Sequence, residues 1–339
     1  MTAAFDVVGV GLNATDTLLL LPEYPPYAGK VPFSSEILSP GGQVATAMVA
    51  CSRLGLRTKY IGTIGDDLRG EIQRQSLDGT GVDTSGVIVR AGCPNQTAYI
   101  LIDQRTGERT VLWHRADCLR LRPEDIRPED ILSARIVHLD GCDTEAAAFA
   151  AKVARKAGIP VAIDVDTVYQ GFEAVLQNTD YLVASAVWPG RWTTEADGLV
   201  ALARVQREYG IKVSAMTLGD YGSVALFQGG FYYSPAFQVH CADTTGAGDA
   251  YHGAFCYAIL QGMPIPEALD FSNAAAALNC TAIGARGHIP AVGEVEDLLA
   301  LAASGKVARR IDEEMAQRCR TAVEPVRPAV LGVHRGDDH

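Results

Sequence analysis

Hydrophobic and polar positions follow two different periods along the chain, and the changes from one to the other predict where strands and helices lie. Apolar runs of strand length are "FDVVGV", "KYIGTI", "ARIVHL", "IPVAIDV", "DYLVAS" and "KVSAMTL". Apolar residues at helical spacing lie between them, as in "GGQVATAMVACSRLG", "DTEAAAFAAKVARKAG" and "TTEADGLVALARVQREYG". Continuous apolar strands that alternate with helices predict an α/β domain with a mostly parallel sheet and crossover helices.

Two segments cannot belong to that parallel core. The first, "LLLLPEYPPYAGKVPFSSEILSP", is rich in Pro and aromatic residues, so we expect a loop or short edge strands. The second, "TAYILIDQRTGERTVLWHRA", has two β-rich runs around a turn and predicts a hairpin. We expect the first strand of the core to carry Asn13 and Asp16 at its carboxyl end.

Composition and charge exclude some partners. The 339 residues include 29 Lys and Arg against 40 Asp and Glu, a net charge of −11, which argues against nucleic acid or an anionic membrane as a partner. No apolar run approaches 18 residues and no basic region precedes an apolar one at the start, so we expect a cytoplasmic protein. The eight cysteines form no CxxC pair, and we expect all of them to be small buried apolar residues with free thiols.

The segment "DTTGAGDAYHGAF", residues 243 to 255, carries the clearest chemistry. Gly246, Ala247 and Gly248 allow a tight bend whose N–H groups point outward at a helix start, where a phosphoryl group is stabilised. Asp249, with an ordinary carboxyl pKa of about 4, can accept the proton of an attacking hydroxyl. The alternative is that this turn merely caps the helix. It is neither a Walker A loop nor a GxGxxG dinucleotide motif.

Together with two further motifs, this segment resembles the ribokinase-like (PfkB) carbohydrate kinases. The further motifs are "GGQVATAMVACSRLGLRTKYIGTIGDDLRGE", residues 41 to 71, and "TLGDYG", residues 217 to 222, in the order and spacing of that family over roughly residues 5 to 300. The resemblance implies a three-layer α/β/α ribokinase-like fold in a kinase domain over 1–305. Segments of about 12–38 and 94–115 would form a small β-sheet lid, and a helix or tail would follow over 306–339.

The resemblance also implies roles for individual residues. Asp249 would be the catalytic base, and Gly246, Ala247 and Gly248 would form the anion hole. The positions that would bind the acceptor are Asn13, Asp16, Gly41, Gly42, Gln43, Thr46 and Asp140. The positions that would border ATP are Ser185, Thr217, Gly219, Gly222, Asn273 and Ala276. Mg²⁺ would accompany ATP, held mostly by phosphate and water.

Many members of the family also bind a monovalent cation, here K⁺. The positions that match its site are Asp243 and Thr245, with carbonyls near Asn279, Ala282 and Gly284. The alternative, that Asp243 caps the loop and no K⁺ binds, stays open. Two departures concern other contacts: Thr46 replaces a frequent Asn, and Ser185 and Trp188 replace the polar residues of an Asn-x-x-Glu motif.

We therefore expect an ATP-dependent kinase that phosphorylates a hydroxyl of a small sugar, with ribokinase- or fructokinase-like activity. Alternatives are a kinase for a nucleoside, a sugar acid or a sugar phosphate, a non-catalytic sugar- or nucleotide-binding protein, and a nicotinamide oxidoreductase. A phosphorylated acceptor needs cations in the lid, and the candidates are Lys30, Arg105, Arg109 and Arg115, which otherwise are solvated surface. The open edges of a small lid favour a homodimer.

Overall fold

The computed structural model describes residues 3–322, which form two main sheets and eleven α-helices. The strands are β1 (Phe5–Val10), β2 (Ala14–Leu21), β3 (Ser35–Gly41), β4 (Thr58–Gly65), β5 (Asp83–Arg90), β6 (Thr97–Asp103), β7 (Arg109–His114), β8 (Ala134–Leu139), β9 (Val161–Val165), β10 (Tyr181–Ser185), β11 (Val213–Thr217), β12 (Ser223–Phe227), β13 (Gly230–Ser234), β14 (Ala236–Phe237) and β15 (Arg309–Arg310). The helices are α1 (Gln43–Arg53), α2 (Leu68–Gly79), α3 (Pro128–Leu132), α4 (Thr144–Lys156), α5 (Glu173–Leu176), α6 (Trp188–Thr193), α7 (Gly198–Tyr209), α8 (Ala247–Leu260), α9 (Ile265–Asn279), α10 (Val292–Ala303) and α11 (Glu313–Thr321).

The main sheet has nine strands in the order β13-β12-β11-β10-β9-β8-β1-β4-β5. The seven strands from β11 to β5 are parallel, and β12 and β13 continue the sheet in antiparallel pairs. Helices cover both faces. Val7 packs into a cluster that includes Val44 and Met48 of α1, whereas the next residue, Val8, joins a cluster with Ala146 and Ala150 of α4. This alternation confirms the predicted three-layer α/β/α architecture.

The second sheet has the order β3-β2-β6-β7, and its strands come from the two segments predicted to form a lid. Its β2 and β6 pair in parallel and the two outer pairs are antiparallel. The expectation that the leucine-rich segment is a loop or edge strand is wrong for residues 18–21, because these belong to β2, a central strand. Leu18 and Leu20 are buried with Ile100 and Ile102, and this apolar row stabilises the sheet despite the Pro-rich connection that follows it.

Asp16 also differs from its expected place. The first strand ends at Val10, and Asp16 lies in β2 of the lid sheet. Gly11 and Leu12 interrupt the strand because the chain turns there from the main sheet into the lid.

The structure corrects the expectation of eight free thiols. Cys93 and Cys118 form a disulfide with a Cα–Cα distance of 6.0 Å. Cys93 precedes β6 and Cys118 follows β7, so the bond joins the two roots of one lid hairpin. No sequence motif signals this pair, because only the fold brings the two positions together. The other six cysteines are free.

The C-terminal part of the described chain packs back on the main domain. β15 pairs with β14, and α11 contacts β13. The predicted tail beyond residue 322 lies outside the described residues. Within residues 3–322, no helix has the length and apolar character that a membrane span needs.

Candidate active site

The segment predicted to bind phosphate lies at a helix start, as the sequence motif predicts. Gly246 is the N-cap of α8 with φ of 77°, and a Cβ there would come within 2.5 Å of the Ala285 backbone. Gly248 is exposed, and a Cβ there would meet no atom within 4 Å. The backbone therefore requires glycine at position 246. Gly248 leaves an open approach to the positive end of a 14-residue helix.

Asp249 stands in the first turn of α8, next to this opening. Burial raises the pKa of its carboxyl well above the usual range, and the negative charges of Asp164 and Asp16 add to the rise. Arg109 and Arg286 oppose the rise. The expected pKa of about 4 is thus wrong, and the carboxylate is a stronger base than an exposed aspartate.

Asp16 is 4% exposed, and its charge is close enough to Asp249 to raise the pKa of Asp249. Burial raises the pKa of the Asp16 carboxyl to about 7, with a further contribution from Asp243, while Arg286, Arg69 and Arg109 lower it. Within residues 3–322 it forms no ion pair or hydrogen bond. Its Oδ2 would lie 2.2 Å from a Cβ at position 41, so Gly41 makes room for it. A buried carboxylate without a donor is suited to accept hydrogen bonds from the hydroxyls of a ligand.

The other predicted acceptor positions differ in how many of their hydrogen-bonding atoms already have partners. Asn13 donates through Nδ2 to Tyr60 Oη at 3.0 Å and to the Thr63 carbonyl at 2.7 Å, while its buried Oδ1 has no partner. Gly42 has φ of 92°, and a Cβ at this position would lie 2.3 Å from Cα of Asn13. The Asn13 amide is therefore held in place with its acceptor oxygen unused.

Asp140 is committed to the backbone. It accepts hydrogen bonds from the Leu12 and Cys142 N–H groups at 2.8 and 3.0 Å, and burial raises its pKa to about 7. The carboxylate fixes the turn that leads from β1 into the lid. We therefore assign it first to positioning that turn.

Arg286 is a residue of the site that the sequence analysis missed. Its guanidinium donates to Thr46 Oγ1 at 3.2 Å, to the Gly41 carbonyl at 3.0 Å and to Gln73 and Ser76 of α2. All these partners are neutral, and within residues 3–322 Arg286 forms no ion pair. No spacing rule points to an arginine 240 residues from its partner Thr46.

Asp164, at the carboxyl end of β9, was also missed. Its Oδ1 lies 3.1 Å from His252 Nε2, and the Gln43 side chain helps to lower its pKa. His252, one turn after Asp249, is thus paired rather than simply packed. A search for acidic residues at the carboxyl ends of the parallel strands would have found Asp164 in "VAIDVD".

The four candidate cations of the lid differ in their partners and in their exposure. Arg115, expected at the surface, is ion-paired with Asp143 at 2.6 Å and its side chain is 13% exposed. Arg105 pairs with Asp103 two residues away. Arg109 donates to Thr244 Oγ1 at 2.7 Å. Lys30 lies exposed in the β2–β3 connection.

The predicted nucleotide-side residues line the ends of neighbouring strands. Ser185 and Thr217 are cross-strand partners at the ends of β10 and β11, and Gly219 and Gly222 have φ of 61° and 96° in the turn that follows. The two residues on α9 differ in burial, because Asn273 is buried and Ala276 is partly buried.

Asn273 is held by the framework. Its Nδ2 donates to the Ser234 carbonyl and Oγ at 3.0 and 2.7 Å. Trp188, in place of a polar residue, is fully buried, stacks on Trp192 at 5.3 Å and donates its indole N–H to the Thr167 carbonyl. Neither side chain is free to contact a phosphate.

The positions that match a monovalent cation site form one buried cluster. Asp243 accepts from Thr245 N–H and Oγ1 at 2.9 and 2.7 Å and from Gly284 N–H at 2.8 Å. The buried Asn279 Oδ1 has no partner, and Ala282 follows in the next turn. A buried carboxylate without an ion pair in the described chain, beside an unpartnered oxygen, fits a cation with oxygen ligands.

Comparison with known proteins decides which family has this site. Residues 27–292 match the sequence model of the pfkB family carbohydrate kinases. The chain belongs to this family. It is accordingly a phosphotransferase that acts on a sugar hydroxyl.

Several relatives resemble this carbohydrate kinase over most of their length. The ATP-dependent ribose-1-phosphate kinase of Halopiger xanaduensis is 32% identical over 83% of this chain and 93% of that one. A 5-dehydro-2-deoxygluconokinase of Geobacillus thermodenitrificans is 27% identical over 76% and 83%. Among solved structures, the ribokinase of Thermotoga maritima superposes with a TM-score of 0.73 at 25% identity, over 87% of this chain and 99% of that one. These likenesses confirm the predicted ribokinase-like fold.

Proposed function

We propose that this kinase transfers the γ-phosphoryl group of ATP to a primary hydroxyl of a small sugar, with Asp249 as the base. The single observation that carries this assignment is the Asp249 carboxylate in the first turn of α8, beside the open Gly248 and close enough to Asp16 for the Asp16 charge to raise the pKa of Asp249. The acceptor oxygen would form a bond to phosphorus, and the bond from phosphorus to the bridging oxygen of ADP would break. The hydroxyl proton would pass to Asp249.

The remaining site residues would divide between the two substrates. Asp16 and the free Oδ1 of Asn13 would accept hydrogen bonds from sugar hydroxyls, and Gly41, Gly42, Gln43 and Thr46 would border the same space. Gly246, Ala247 and Gly248 would stabilise charge on the transferring group through the helix start. Ser185, Thr217, Gly219, Gly222 and the exposed part of Ala276 would border ATP, and Asn273 would support that wall from behind.

Two ions would complete the site. Mg²⁺ would be held mainly by ATP phosphates and water, because Trp188 is buried among aromatic side chains and offers no ligand. K⁺ would be held by the cluster of Asp243, Thr245 and Asn279 with the nearby carbonyls of Ala282 and Gly284. A cation there would offset the buried charge of Asp243 and stiffen the loop that carries the anion hole.

A second candidate acceptor is a sugar that carries an anionic group. Arg286 favours it, since its guanidinium borders the acceptor space through Thr46 and Gly41 and has only neutral partners in the described chain. A partly buried guanidinium that forms no ion pair is stabilised by an anion in direct contact with it. The names of two relatives fit this chemistry, since one is a ribose-1-phosphate kinase and the other a 5-dehydro-2-deoxygluconokinase.

ADP release from ATP and Mg²⁺ tests both acceptors. The panel contains neutral sugars, nucleosides, sugar acids and sugar phosphates, each with and without K⁺, and Asp249→Asn is measured beside the wild type. We expect turnover on one acceptor class and a loss of kcat of about 10²- to 10⁴-fold in Asp249→Asn. Sugar binding without turnover on any acceptor would instead favour a non-catalytic binding protein.

We also propose that two copies associate through the lid. All six residues of the edge strand β7 are exposed, including Val111, Leu112 and Trp113. An unpaired apolar edge is covered when a second copy adds its own edge. Sedimentation equilibrium would show the dimer, and a monomer at micromolar concentration would contradict it. The acidic charge favours neither a nucleic-acid nor a membrane partner, and cell fractionation tests the proposed cytoplasmic location.

A further inference from the structure

The side-chain amide of Gln96, immediately before the lid strand β6, is buried and has no partner in the described chain. Gln96 is 8% exposed, and its Oε1 is buried without a hydrogen bond. Within residues 3–322 its Nε2 likewise donates to no other residue. Buried polar side chains in proteins are nearly always hydrogen-bonded. An amide that is left free in this position therefore indicates a partner that is not part of the chain.

The main chain at Gln96 is in contrast held firmly. Its carbonyl accepts hydrogen bonds from the Thr15 N–H at 3.0 Å and from Asn95 Nδ2 at 3.2 Å. Asn95 is itself anchored, because its Oδ1 accepts from the Gly65 N–H at 3.1 Å and its N–H donates to Asp67 Oδ2 at 3.2 Å. A free side chain on a fixed backbone is suited to bind a ligand, since little of the protein has to be ordered on binding.

The strand register places Gln96 on the lid face that carries Asp16. Strands β2 and β6 are parallel with Asp16 opposite Ala98, and successive side chains of a strand point to opposite faces. Ala98 and Leu18 are buried on the same face, against Ile283 of the main domain. Gln96 comes two residues before Ala98, and Asp16 comes two residues before Leu18. The two polar side chains therefore share this face at the same end of two neighbouring strands.

Three groups with unused acceptor oxygens lie at this end of the lid. They are the Asp16 carboxylate, the Oδ1 of Asn13, which precedes β2, and the Oε1 of Gln96. Each of them can accept a hydrogen bond from a hydroxyl, and the Nε2 of Gln96 can also donate to a hydroxyl oxygen. A ligand with several hydroxyl groups on neighbouring carbons satisfies this set.

We infer that Gln96 is a specificity-determining residue, whose side-chain amide bonds to a second hydroxyl of the acceptor sugar, besides the hydroxyl held by Asp16. This inference rests on the proposed sugar kinase activity and deepens it, because it makes the acceptor a molecule with at least two neighbouring hydroxyl groups. The amide contributes to acceptor binding and does not take part in the transfer of the phosphoryl group.

The first test compares the stability of Gln96→Met with that of the control Gln206→Met. Methionine has nearly the size and flexibility of glutamine without its hydrogen-bonding groups. Gln206 of α7 donates to the Leu226 carbonyl at 2.8 Å, so its amide belongs to the framework. Without a ligand, Gln96→Met should raise Tm by about 1–4 °C and Gln206→Met should lower it by a similar amount. A lower Tm in Gln96→Met would show that its amide has a structural partner and would overturn the inference.

The second test uses the acceptor that the ADP-release panel identifies. Gln96→Met should lower kcat/KM for this acceptor by about 10- to 100-fold. The loss should lie in KM for the acceptor, with kcat and KM for ATP within about threefold of the wild type, and Gln206→Met should show no loss. An equal rise in KM for ATP would contradict the assignment.

Monodeoxy analogues of the acceptor then locate the hydroxyl. The analogue that lacks the hydroxyl bound by Gln96 should have the same kcat/KM in the wild type and in Gln96→Met, because both proteins then lack this contact. If Gln96→Met lowered kcat/KM for every monodeoxy analogue as much as for the parent acceptor, no hydroxyl would be its partner and the inference would fail.

Calorimetric titration of the same acceptors without ATP separates this inference from the proposed function. Wild-type protein that binds an acceptor and transfers no phosphoryl group would contradict the proposed function. Binding that is weaker in Gln96→Met by about 10- to 100-fold would still support the role of Gln96. Equal Kd values in the two proteins would refute that role even if the wild type turns over normally. A chain that binds no acceptor of the panel would contradict both proposals.

Discussion

Around Asp16 the charged side chains of the described chain lack ion pairs, whereas at the nucleotide-side turn they are paired with one another. Asp16 and Arg286 have no partner of opposite charge in hydrogen-bond contact. In contrast, Asp220 pairs with Arg310, and Asp270 pairs with Arg309 at 2.6 Å. An unpaired buried charge lowers the stability of the fold, and a ligand that bonds to it offsets part of that cost. Charges that are paired with each other are instead satisfied within the fold. The proposed acceptor side is thus suited to recognise a ligand through polar contacts. The proposed nucleotide side is suited to recognise a ligand through its shape.

The largest expected effect concerns the loop where the two sides meet. Gly246→Ala should abolish measurable activity and lower the free energy of unfolding by roughly 2–4 kcal/mol, because an L residue at this φ is strained and its Cβ would strike the Ala285 backbone. Gly248→Ala is the matched control, since its Cβ would meet no protein atom. Thermal unfolding and ADP release measure both. Equal destabilisation by the two variants would contradict the distinction between a required and an open glycine.

The next prediction concerns the loss of stability that the unpaired Asp16 carboxylate causes. Asp16→Asn should lower kcat/KM for the acceptor by about 10- to 100-fold, because hydrogen bonds to a charged acceptor are lost. The same variant should be more stable than the wild type at pH 8, by roughly 1–3 kcal/mol, since the pKa of Asp16 is raised to about 7 in the folded protein.

The sign of this stability difference follows from proton binding. The folded protein keeps the Asp16 proton up to about pH 7, whereas the unfolded chain loses it near pH 4. The cost of the carboxylate is therefore complete above pH 7 and fades as the pH falls toward 4. Urea unfolding at pH 5 and pH 8 measures it. A variant that is less stable than the wild type at pH 8 would show that Asp16 has a structural partner.

The same contrast explains what the sequence could predict. Glycine motifs and continuous apolar strands are local signals, so the parallel sheet, α1, α8 and the helix start at Asp249 follow from short segments. Arg286 and the pair Cys93–Cys118 depend on positions that only the fold brings together. Asp16 was predicted as an acceptor residue and was assigned to the wrong strand, because the turn at Gly11 separates two apolar runs without a clear break in pattern.

The sequence could not predict the raised pKa of Asp249 for a related reason. The pKa of Asp249 depends on burial and on Asp164, Asp16, Arg109 and Arg286, which come from four other elements or loops. A motif can suggest which residue is the base, but it does not show the charges around that residue.

The smallest expected effect on catalysis lies on the nucleotide wall. Asn273→Ala removes the two hydrogen bonds to Ser234 and should lower the free energy of unfolding by about 1–3 kcal/mol. KM for ATP should change by less than threefold, since the Nδ2 group of Asn273 is used inside the framework. Ser234→Ala removes one of these bonds together with the bonds of the Ser234 hydroxyl to Asp270 and Arg309, and it should destabilise to a similar extent. A rise of tenfold or more in KM for ATP at unchanged Tm would mean that Asn273 contacts the nucleotide directly, and the contrast between an unpaired acceptor side and a paired nucleotide wall would then fail.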